Sequence, residues 1–439
     1  MLIQQTIAAK IQESITAPVP DFTPRSIHVP AVRGKAIAVI GPRRGGKTTF
    51  LWQLLAGRAA AKTPREGLLY FNFEDERLAG MKAEQLQILV EEYYRLHPQW
   101  RDASRRAAWF LDEMQLVPGW EVFVRRIMDS EKVDVFLSGS SAALLSREVA
   151  TSMRGRAMEA LVLPFSFREF LRHRQCEPEK EIALLPKARR SALDAQLLAY
   201  LAEGGYPEAQ GLDARARREL LRGYVDVALY RDVVERHAVS NPIALRWMIR
   251  QLLGNAGGSF SVQRFHNDLS SQGLPAAKNT LHAYLSHLQD AYLVVTLPIA
   301  TASERQRMVN PRKAYPIDPG LIAVFDRSGK ANAGHALETA VLLELMRRGS
   351  EVAWVRTADG HEVDFLARHS DGTRELIQVC LAADEPGTET RELRALAGAL
   401  KEHRKARATV ITLRPETFTA TLPGVTVTSA TAWLLAEPA

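Results

Sequence analysis

The chain has 439 residues, of which 46% are hydrophobic and 24% charged, and its formal net charge is +7. The length is too great for one hydrophobic core, so two to four domains are expected, and the composition excludes a largely disordered protein. The sequence shows no signal-peptide pattern and no apolar run as long as a membrane span, so we expect a soluble cytoplasmic protein without a membrane partner. Cys176 and Cys380 lack CxxC spacing and histidine companions, which argues against a zinc site or a disulfide framework and favours two buried thiols.

Apolar strands alternate with amphipathic helices between about residues 34 and 165. The strand segments read AIAVI, LLYFNF, WFLDE and VDVFLSG. This alternation predicts a parallel α/β domain. The first strand leads directly into GPRRGGKT, which has Gly41, Gly46, Lys47 and Thr48 at the fixed positions of the G-x-x-x-x-G-K-[ST] loop.

A loop of this kind binds nucleotide phosphates. Its backbone amides converge on the phosphates at a helix N-terminus, its lysine reaches the β and γ oxygens, and its threonine ligates magnesium. The sequence therefore predicts ATP and Mg²⁺ as cofactors. The residues predicted to hold the nucleotide are Gly41, Arg44, Gly45, Gly46, Lys47, Thr48 and Thr49.

Two later strand ends supply candidates for the hydrolysis step. The strand in AAWFLDE ends at Asp112 and Glu113. We expect Asp112 to join Thr48 in the magnesium shell and Glu113 to polarise the attacking water. Ser138 ends the strand in VDVFLSGSS, where it would sense the γ-phosphate, although a turn would explain the same residues.

The segment SMRGRA places Arg154 and Arg156 well beyond the phosphate loop. An arginine at this distance is better placed to reach the nucleotide of a neighbouring subunit than its own, as an arginine finger supplied in trans. On the residues alone it is also compatible with an exposed arginine that has no catalytic role.

The chain becomes helical and rich in arginine after the α/β segment. Arginines gather in ARARRELLRGY (214 to 224), RWMIR and SERQRM, which suits a nucleic-acid surface or a solvated helix face. Within FSVQRFHNDLSSQGLPAAKNTLHAYLSHLQDAYLVVTLPI, two helical patterns flank a QGLP turn and an apolar strand follows. This arrangement resembles a winged helix-turn-helix. From about residue 331, one long helix followed by strands predicts a small α/β domain.

The second helix of the predicted helix-turn-helix would enter a major groove. Leu281, Leu285 and Leu288 have the spacing of an inward-facing stripe. The residues expected to face DNA are Lys278, Asn279, Thr280 and His282. Winged helices also serve as protein contacts, so a role in partner binding or ring packing stays open.

Several motifs occur together in the order of a known family. They are GPRRGGKTTF, FNFEDERL, FLDEMQLVPGW, LSGSSAALLS, MRGRA, LPFSFREFL, GGYPEA and LYRDVVER. Between about residues 30 and 415 the chain resembles a group of poorly characterised prokaryotic AAA+ ATPases, in which a winged helix and a restriction-endonuclease-like fold follow the ATPase core. The resemblance implies a AAA+ fold, assembly into a ring and an arginine acting in trans, for which Arg156 matches best.

The endonuclease-like pattern is incomplete in this sequence. It requires a helix glutamate, a strand aspartate and Glu-x-Lys on the next strand around a metal ion. Glu338 and Asp364 match the first two positions, but Gln378 and Cys380 stand where the Glu-x-Lys residues belong. Glutamine is a poor magnesium ligand and cysteine supplies no cation. We therefore expect nuclease activity to be lost, with Lys401 as the first candidate for a relocated lysine.

The predicted fold class is α/β, with a P-loop AAA+ core at 1–170, a helical lid at 171–228, a winged helix-turn-helix at 229–300 and a nuclease-like domain at 301–439. We expect a homo-oligomeric, hexameric ring that hydrolyses ATP to move along or remodel duplex or branched DNA, as a helicase or branch-migration factor does. Two alternatives stay open, namely an ATP-dependent nuclease and an ATP-driven protein switch without motor activity.

Overall fold

The computed structural model describes residues 2–101, 104–139, 153, 155–309, 311–326, 332–382, 387–420 and 422–437, so Arg154 lies outside the described residues. The chain forms two compact units, Met1–Leu163 and Pro164–Ala439. The predicted division into four domains stays a prediction.

The first unit is built on a five-stranded parallel sheet, as the alternating pattern predicted. The strand order is β2-β3-β4-β1-β5. The strands are β1 (Ala36–Ile40), β2 (Leu68–Asn72), β3 (Ala107–Asp112), β4 (Val133–Ser138) and β5 (Ala157–Leu161). The helices are α1 (Leu2–Thr16), α2 (Lys47–Ala60), α3 (Gln87–Leu96) and α4 (Trp120–Ser130).

The central strands of this sheet are buried throughout because helices cover both faces, as parallel sheets require. Every residue of β1 and β3 is buried. On α4 the buried residues Trp120, Phe123, Val124 and Ile127 follow the spacing of one helix face. Because all five strands run parallel, their carboxyl ends meet at one edge of the sheet, next to the loops that follow β1 and β3.

The second unit begins with helices. They are α5 (Phe167–His173), α6 (Lys187–Glu203), α7 (Ala214–Val227), a π-helix (Ala228–Glu235) and α8 (Pro242–Gly254). Side-chain caps start several of them: Ser166 and Glu169 form a capping box on α5, and Asp213 accepts from two amides at the start of α7.

A three-stranded antiparallel sheet with a helix pair follows, and its strand order is β6-β8-β7. Leu281, Leu285 and Leu288 are buried, as their spacing predicted, whereas Lys278, Asn279 and His282 are exposed. The elements are β6 (Ser259–Phe260), α9 (Val262–Ser271), α10 (Lys278–Asp290), β7 (Val294–Leu297), α11 (Glu304–Val309), β8 (Arg312–Pro316) and α12 (Gly320–Phe325).

The last part of the chain forms a mixed five-stranded sheet of order β13-β12-β11-β10-β9. Its strand β10 pairs antiparallel with both β9 and β11. The elements are α13 (Ala333–Arg347), β9 (Glu351–Arg356), β10 (Glu362–Arg368), β11 (Arg374–Cys380), α14 (Thr388–Glu402), β12 (Ala406–Thr412), β13 (Val425–Ser429) and α15 (Ala430–Leu435).

The GGYP motif has a packing role in the second unit. Gly204 has a φ of 80°, and a β-carbon there would lie 1.9 Å from the carboxylate of Asp318. The amide of Gly205 donates to Asp318 at 2.6 Å, and Phe165 donates its own amide to the Gly205 carbonyl at 2.7 Å. Burial raises the pKa of Asp318 to about 7. The two glycines therefore let three chain segments approach each other closely.

None of the helices in the described part of the chain is both long and apolar enough to cross a membrane.

Candidate functional site

The loop between β1 and α2 has a backbone that excludes larger residues. Gly41 has a φ of 145°, and a β-carbon there would lie 2.0 Å from the carbonyl oxygen of Val162. Gly46 caps α2 in the left-handed region with a φ of 98°. Such conformations are open to glycine at little cost. The loop thus leaves its amides free of side chains at the start of α2, where the helix dipole favours an anion.

Lys47, predicted to reach the phosphates, is buried at the start of α2. Its ammonium group donates to the carbonyls of Pro42 at 2.8 Å and Gly41 at 3.1 Å. The lysine therefore bends back over the loop. Thr48 and Thr49, in the same first turn, are exposed, as is Arg44, whose φ is 63°.

Arg25 holds the phosphate loop through hydrogen bonds and was not predicted from the sequence. Its side chain is buried, with one guanidinium nitrogen 3.0 Å from the Gly45 carbonyl and another donating to the carbonyl of Leu163. The side-chain amide of Gln53 on α2 accepts a hydrogen bond from the Arg25 backbone N–H at 2.7 Å and donates one to the Arg25 carbonyl at 2.9 Å. A buried guanidinium that bridges two carbonyls fixes the loop against the end of β5. Its segment, PVPDFTPRS, carries no motif that would have identified it.

Asp112, at the end of β3, lies among hydroxyl groups. It is fully buried, and its carboxylate accepts from Tyr70 at 2.8 Å and from Ser138. Burial and the nearby Asp112 raise the pKa of Tyr70, so the phenol stays protonated and remains a donor. Two hydroxyl donors hold the carboxylate in one orientation, which a magnesium-shell ligand requires.

Glu113 follows in a strained backbone conformation. Its φ of 55° lies in the left-handed region, which costs a non-glycine residue on the order of 1–2 kcal/mol. Its carboxylate accepts from the side chain of Gln115 at 2.5 Å. Strand β3 ends at Asp112, so Glu113 lies outside the extended backbone of the strand.

The strand order brings the predicted residues to one edge. Strand β4 lies between β1 and β3, with Val39 paired to Ser138 and Leu111 to Leu137. The phosphate loop, Ser138 and Asp112 therefore follow three adjacent strands at their carboxyl ends. The glycine-lined loop and the buried carboxylate fit a nucleotide with its magnesium ion.

Comparison with known proteins agrees with this geometry. Residues 33–171 match the family described as "AAA domain", and residues 194–331 match a "Domain of unknown function (DUF8612)". The uncharacterized protein MJ1544 of Methanocaldococcus jannaschii is 34% identical over 386 residues, which cover 86% of this chain and 81% of that protein. The chain therefore belongs to the same protein family as MJ1544. An uncharacterized protein of Haemophilus influenzae is 29% identical over 79% of this chain and 82% of its own length.

The AAA family fold implies nucleotide binding, usually with Mg²⁺. Among solved structures, the Walker-type ATPase PABY2304 of Pyrococcus abyssi aligns with 74% of this family member and 96% of its own chain. The sequence identity is 15% and the TM-score 0.38, too low to carry an argument.

Arg156 lies at the opposite edge of the sheet from the phosphate loop. Its carbonyl accepts from Ala36, the first residue of β1, at 2.9 Å. Its guanidinium forms an ion pair with Asp129 at 2.5 Å, and the two side chains are 42% and 63% exposed. The amino ends of the strands meet at this edge, so Arg156 is placed away from the loop of its own subunit. Its action in trans stays a proposal.

Mixing two inactive variants would test Arg156. We expect Arg156→Ala and Glu113→Gln each to lack ATPase activity, and their mixture to regain part of it, because a mixed interface pairs an intact arginine with an intact base. Phosphate release measured across mixing ratios checks this. Arg95→Ala, which removes another exposed ion-paired arginine of the same unit, serves as control and should stay active. No recovery in assemblies shown to exchange subunits would contradict the proposal.

A second polar cluster lies in the other unit, where the nuclease-like motif was predicted. The structure brings Glu338 on α13 and Asp364 on β10 to the same ammonium group, that of Lys313 on β8. The ammonium lies 3.1 Å from Asp364 and 3.7 Å from Glu338. A third carboxylate, that of Glu362, lies 4.0 Å away. Asp364 also accepts the Val379 amide at 3.0 Å.

The charges of this cluster are coupled through burial. Burial by itself lowers the pKa of Lys313, but Asp364 and Glu338 raise it above its ordinary value, so the lysine is charged. Burial, and then the charge of Asp364, raise the pKa of Glu338. Tyr315 on β8 donates to Glu338 at 2.6 Å. One cation and one phenol thus compensate two buried carboxyl groups.

Lys313 corrects the expectation that the carboxylates lack a cation. Lys401, the lysine suspected from sequence, is exposed in the last turn of α14, whereas Lys313 comes from a strand outside the motif. Cys380 is half-buried, not buried as expected, and burial raises the pKa of its thiol to about 11. Within the described residues, no group of three or more histidine, cysteine, aspartate or glutamate side chains is arranged to hold a metal ion.

Proposed function

We propose that this protein is an ATPase that assembles as a homo-oligomeric ring and uses ATP hydrolysis to move along or remodel DNA. The observation that supports the hydrolytic part most directly is the meeting of the phosphate loop, Asp112 and Glu113 at one edge of the parallel sheet. The DNA part rests on the charge of this chain.

In this proposal each residue has one function. The amides of the loop and Lys47 bind the β and γ phosphates, and Thr48 and Asp112 would hold Mg²⁺, which supplies neutralising charge for phosphoryl transfer. Glu113 takes a proton from the attacking water, and Ser138, bonded to Asp112, would report the γ-phosphate. Lys47 and Asp112 are buried, and charge interactions of buried groups are stronger than those of groups in bulk water.

DNA is proposed as the partner because exposed arginines concentrate in the second unit. Lys278 and Asn279, at the start of α10, are exposed. The same holds for Arg215, Arg218 and Arg222 of α7 and for both arginines of α8. Such surfaces bind phosphates with little sequence preference. A helicase or branch-migration factor needs both a DNA-binding surface and ATP turnover, and we propose this type of activity because the two would occur together in this protein.

The test is the ATPase rate with single-stranded, duplex and junction DNA. We expect DNA to stimulate turnover, and we expect the effect to fall steeply as salt rises from 50 to 200 mM, because counterion release supplies most of the binding free energy. The Glu113→Gln variant controls for contaminating ATPases. Turnover that DNA leaves unchanged, together with DNA binding that is absent or insensitive to salt, would favour the protein-switch alternative.

A nuclease is the second candidate, since Lys313 lies beside Glu338 and Asp364. We nevertheless expect no cleavage, because its ammonium occupies the carboxylates that a divalent cation would need. Incubation of linear, circular and branched DNA with Mg²⁺ or Mn²⁺, with and without ATP, checks this. Cleavage that disappears in both Asp364→Ala and Lys313→Ala would show an active nuclease with Lys313 as its lysine.

A further inference from the structure

The second unit contains a groove that the ATPase mechanism does not use. It has a volume of about 1400 Å³ and lies between α7, the π-helix, α8 and α12. Pockets for small molecules fall within roughly 300–1,000 Å³. The groove therefore has room for an extended ligand.

Four arginines line this groove in two matched pairs. Arg218 and Arg222 lie one helical turn apart on α7, and Arg246 and Arg250 have the same spacing on α8. All four are exposed. Residues four apart share a helix face, so each pair brings two like charges together, which opposes helix formation. A bound anion would offset the repulsion within each pair, so such a helix face is suited to binding an anion.

These four arginines differ from neighbouring arginines in their charge partners. Among the residues that the structure describes, none of the four forms an ion pair, although neighbouring arginines do. Arg215 pairs with Glu219 at 3.1 Å, and Arg231 pairs with Glu235 at 3.8 Å. The carboxylates that line the groove are those of Asp226 and Asp326, so its lining keeps a positive excess.

Two aromatic rings lie among the arginines. Trp247 on α8 is 46% exposed, and Tyr230 on the π-helix is 37% exposed. The guanidinium group of Arg246 lies 5.0 Å from the centre of the Tyr230 ring. Large apolar rings exposed in a groove mark a binding surface more often than an isolated exposed residue does. Rings that alternate with arginines bind unpaired bases by stacking while the arginines bind phosphates.

We propose that this groove binds single-stranded nucleic acid, with phosphates on the arginines and unpaired bases on Tyr230 and Trp247. In a duplex the bases are stacked on each other and cannot use the two rings. An acidic protein segment would use the arginines but would gain nothing from base stacking. The inference deepens the proposed function by naming the form of nucleic acid and its surface, and it rests on the DNA part of that proposal and not on ATP hydrolysis.

The test measures binding of fluorescent 20-nucleotide oligo-dT and oligo-U, and of a duplex of equal length, by anisotropy. The double variant Arg222→Gln/Arg250→Gln should bind a single strand at least about tenfold more weakly, and its salt slope should fall by about 1.4, since each single-strand contact contributes roughly 0.7. The control Arg215→Gln/Arg231→Gln removes the same charge from ion-paired, exposed arginines and should bind like the parent protein.

Trp247→Ala separates the contribution of base stacking to binding from the contribution of charge. It should weaken single-strand binding by about 5- to 150-fold without changing the salt slope, because stacking involves no counterion. Trp247→Phe should restore part of the affinity, and oligo-dT should quench tryptophan fluorescence in the parent protein more than in Trp247→Ala. Thermal melts of all variants check that these exposed substitutions leave the fold intact.

Three results would overturn the inference. The first is equal affinity of the two double variants for a single strand. The second is tighter binding of the duplex than of the single strand, with no effect of Trp247→Ala. The third is displacement of the oligonucleotide by poly-glutamate that binds with higher affinity than the strand itself. If one of these results is found while DNA stimulates the ATPase activity of the parent protein, only this inference fails. If the parent protein binds no nucleic acid at all, the DNA part of the proposed function fails with it.

Discussion

ATP turnover should be lost in two single variants for different reasons. Lys47→Ala removes the buried ammonium that bends over the loop onto the carbonyls of Gly41 and Pro42, so it should abolish nucleotide binding as well as turnover. Glu113→Gln keeps the shape of the side chain but removes the base, so it should bind ATP and turn over about 10²–10⁴-fold more slowly.

Two measurements separate these effects. Phosphate release gives turnover, and the rise in melting temperature on adding Mg-ATP gives binding, since a ligand stabilises only the state that binds it. The melting temperature should rise in the parent protein and in Glu113→Gln, but not in Lys47→Ala. Lys62→Ala removes an exposed lysine just after α2 and serves as control. Unchanged turnover in Lys47→Ala or Glu113→Gln would refute the assignment of that residue.

The second unit should depend strongly on Lys313. Lys313→Met conserves most of the side-chain volume but leaves Asp364 and Glu338 buried without their cation. Removing one partner of a buried ion pair costs roughly 3–5 kcal/mol of folding free energy. The measurement is chemical denaturation followed by circular dichroism.

The loss in Lys313→Met should be greater at pH 8 than at pH 5. The pKa of Glu338 is raised in the folded protein, so the stability it contributes is present at low pH, where it is protonated, and is lost as the pH rises and the carboxylate forms. Without Lys313, two carboxylates then face each other at high pH.

Two further variants test the Lys313 prediction. Lys401→Met removes an exposed lysine from the same unit, and its effect should lie within about 0.5 kcal/mol of zero. The double variant Lys313→Met/Asp364→Asn should lose less stability than the two single variants added together, because the carboxylate left unpaired is also removed. Strict additivity would show that Lys313 and Asp364 do not interact.

The elements predicted from the sequence agree with the structure where they depend only on residues that are close together along the chain. The β-strands of the first unit follow from short apolar runs that end at small or acidic residues. The phosphate loop was recognised because two glycines, a lysine and a threonine occupy fixed positions within eight consecutive residues. The φ of 145° at Gly41 shows why a glycine is needed there. The buried face of α10 was predicted in the same way, since Leu281, Leu285 and Leu288 repeat with the period of a helix.

Hydrogen bonds between residues far apart in the sequence could not be predicted in this way. Tyr70 and Ser138 are 42 and 26 residues from Asp112, and their hydrogen bonds to it exist only because β3 lies between β2 and β4. Arg25 lies 138 residues before Leu163, whose carbonyl it binds. No periodicity links positions so far apart, because strand order is decided by the packing of the whole sheet.

The sequence by itself determined the parallel α/β unit and the nucleotide-binding loop, because both depend on residues that are neighbours along the chain. The tertiary structure alone decided the chemistry of the second unit. It places Lys313 of β8 against Asp364 of β10, 51 residues later, so a cation that the motif lacks comes from another sheet. It also brings the arginines of α7 and α8 to one groove. Charge compensation depends on distance in space, and a motif records only distance along the chain.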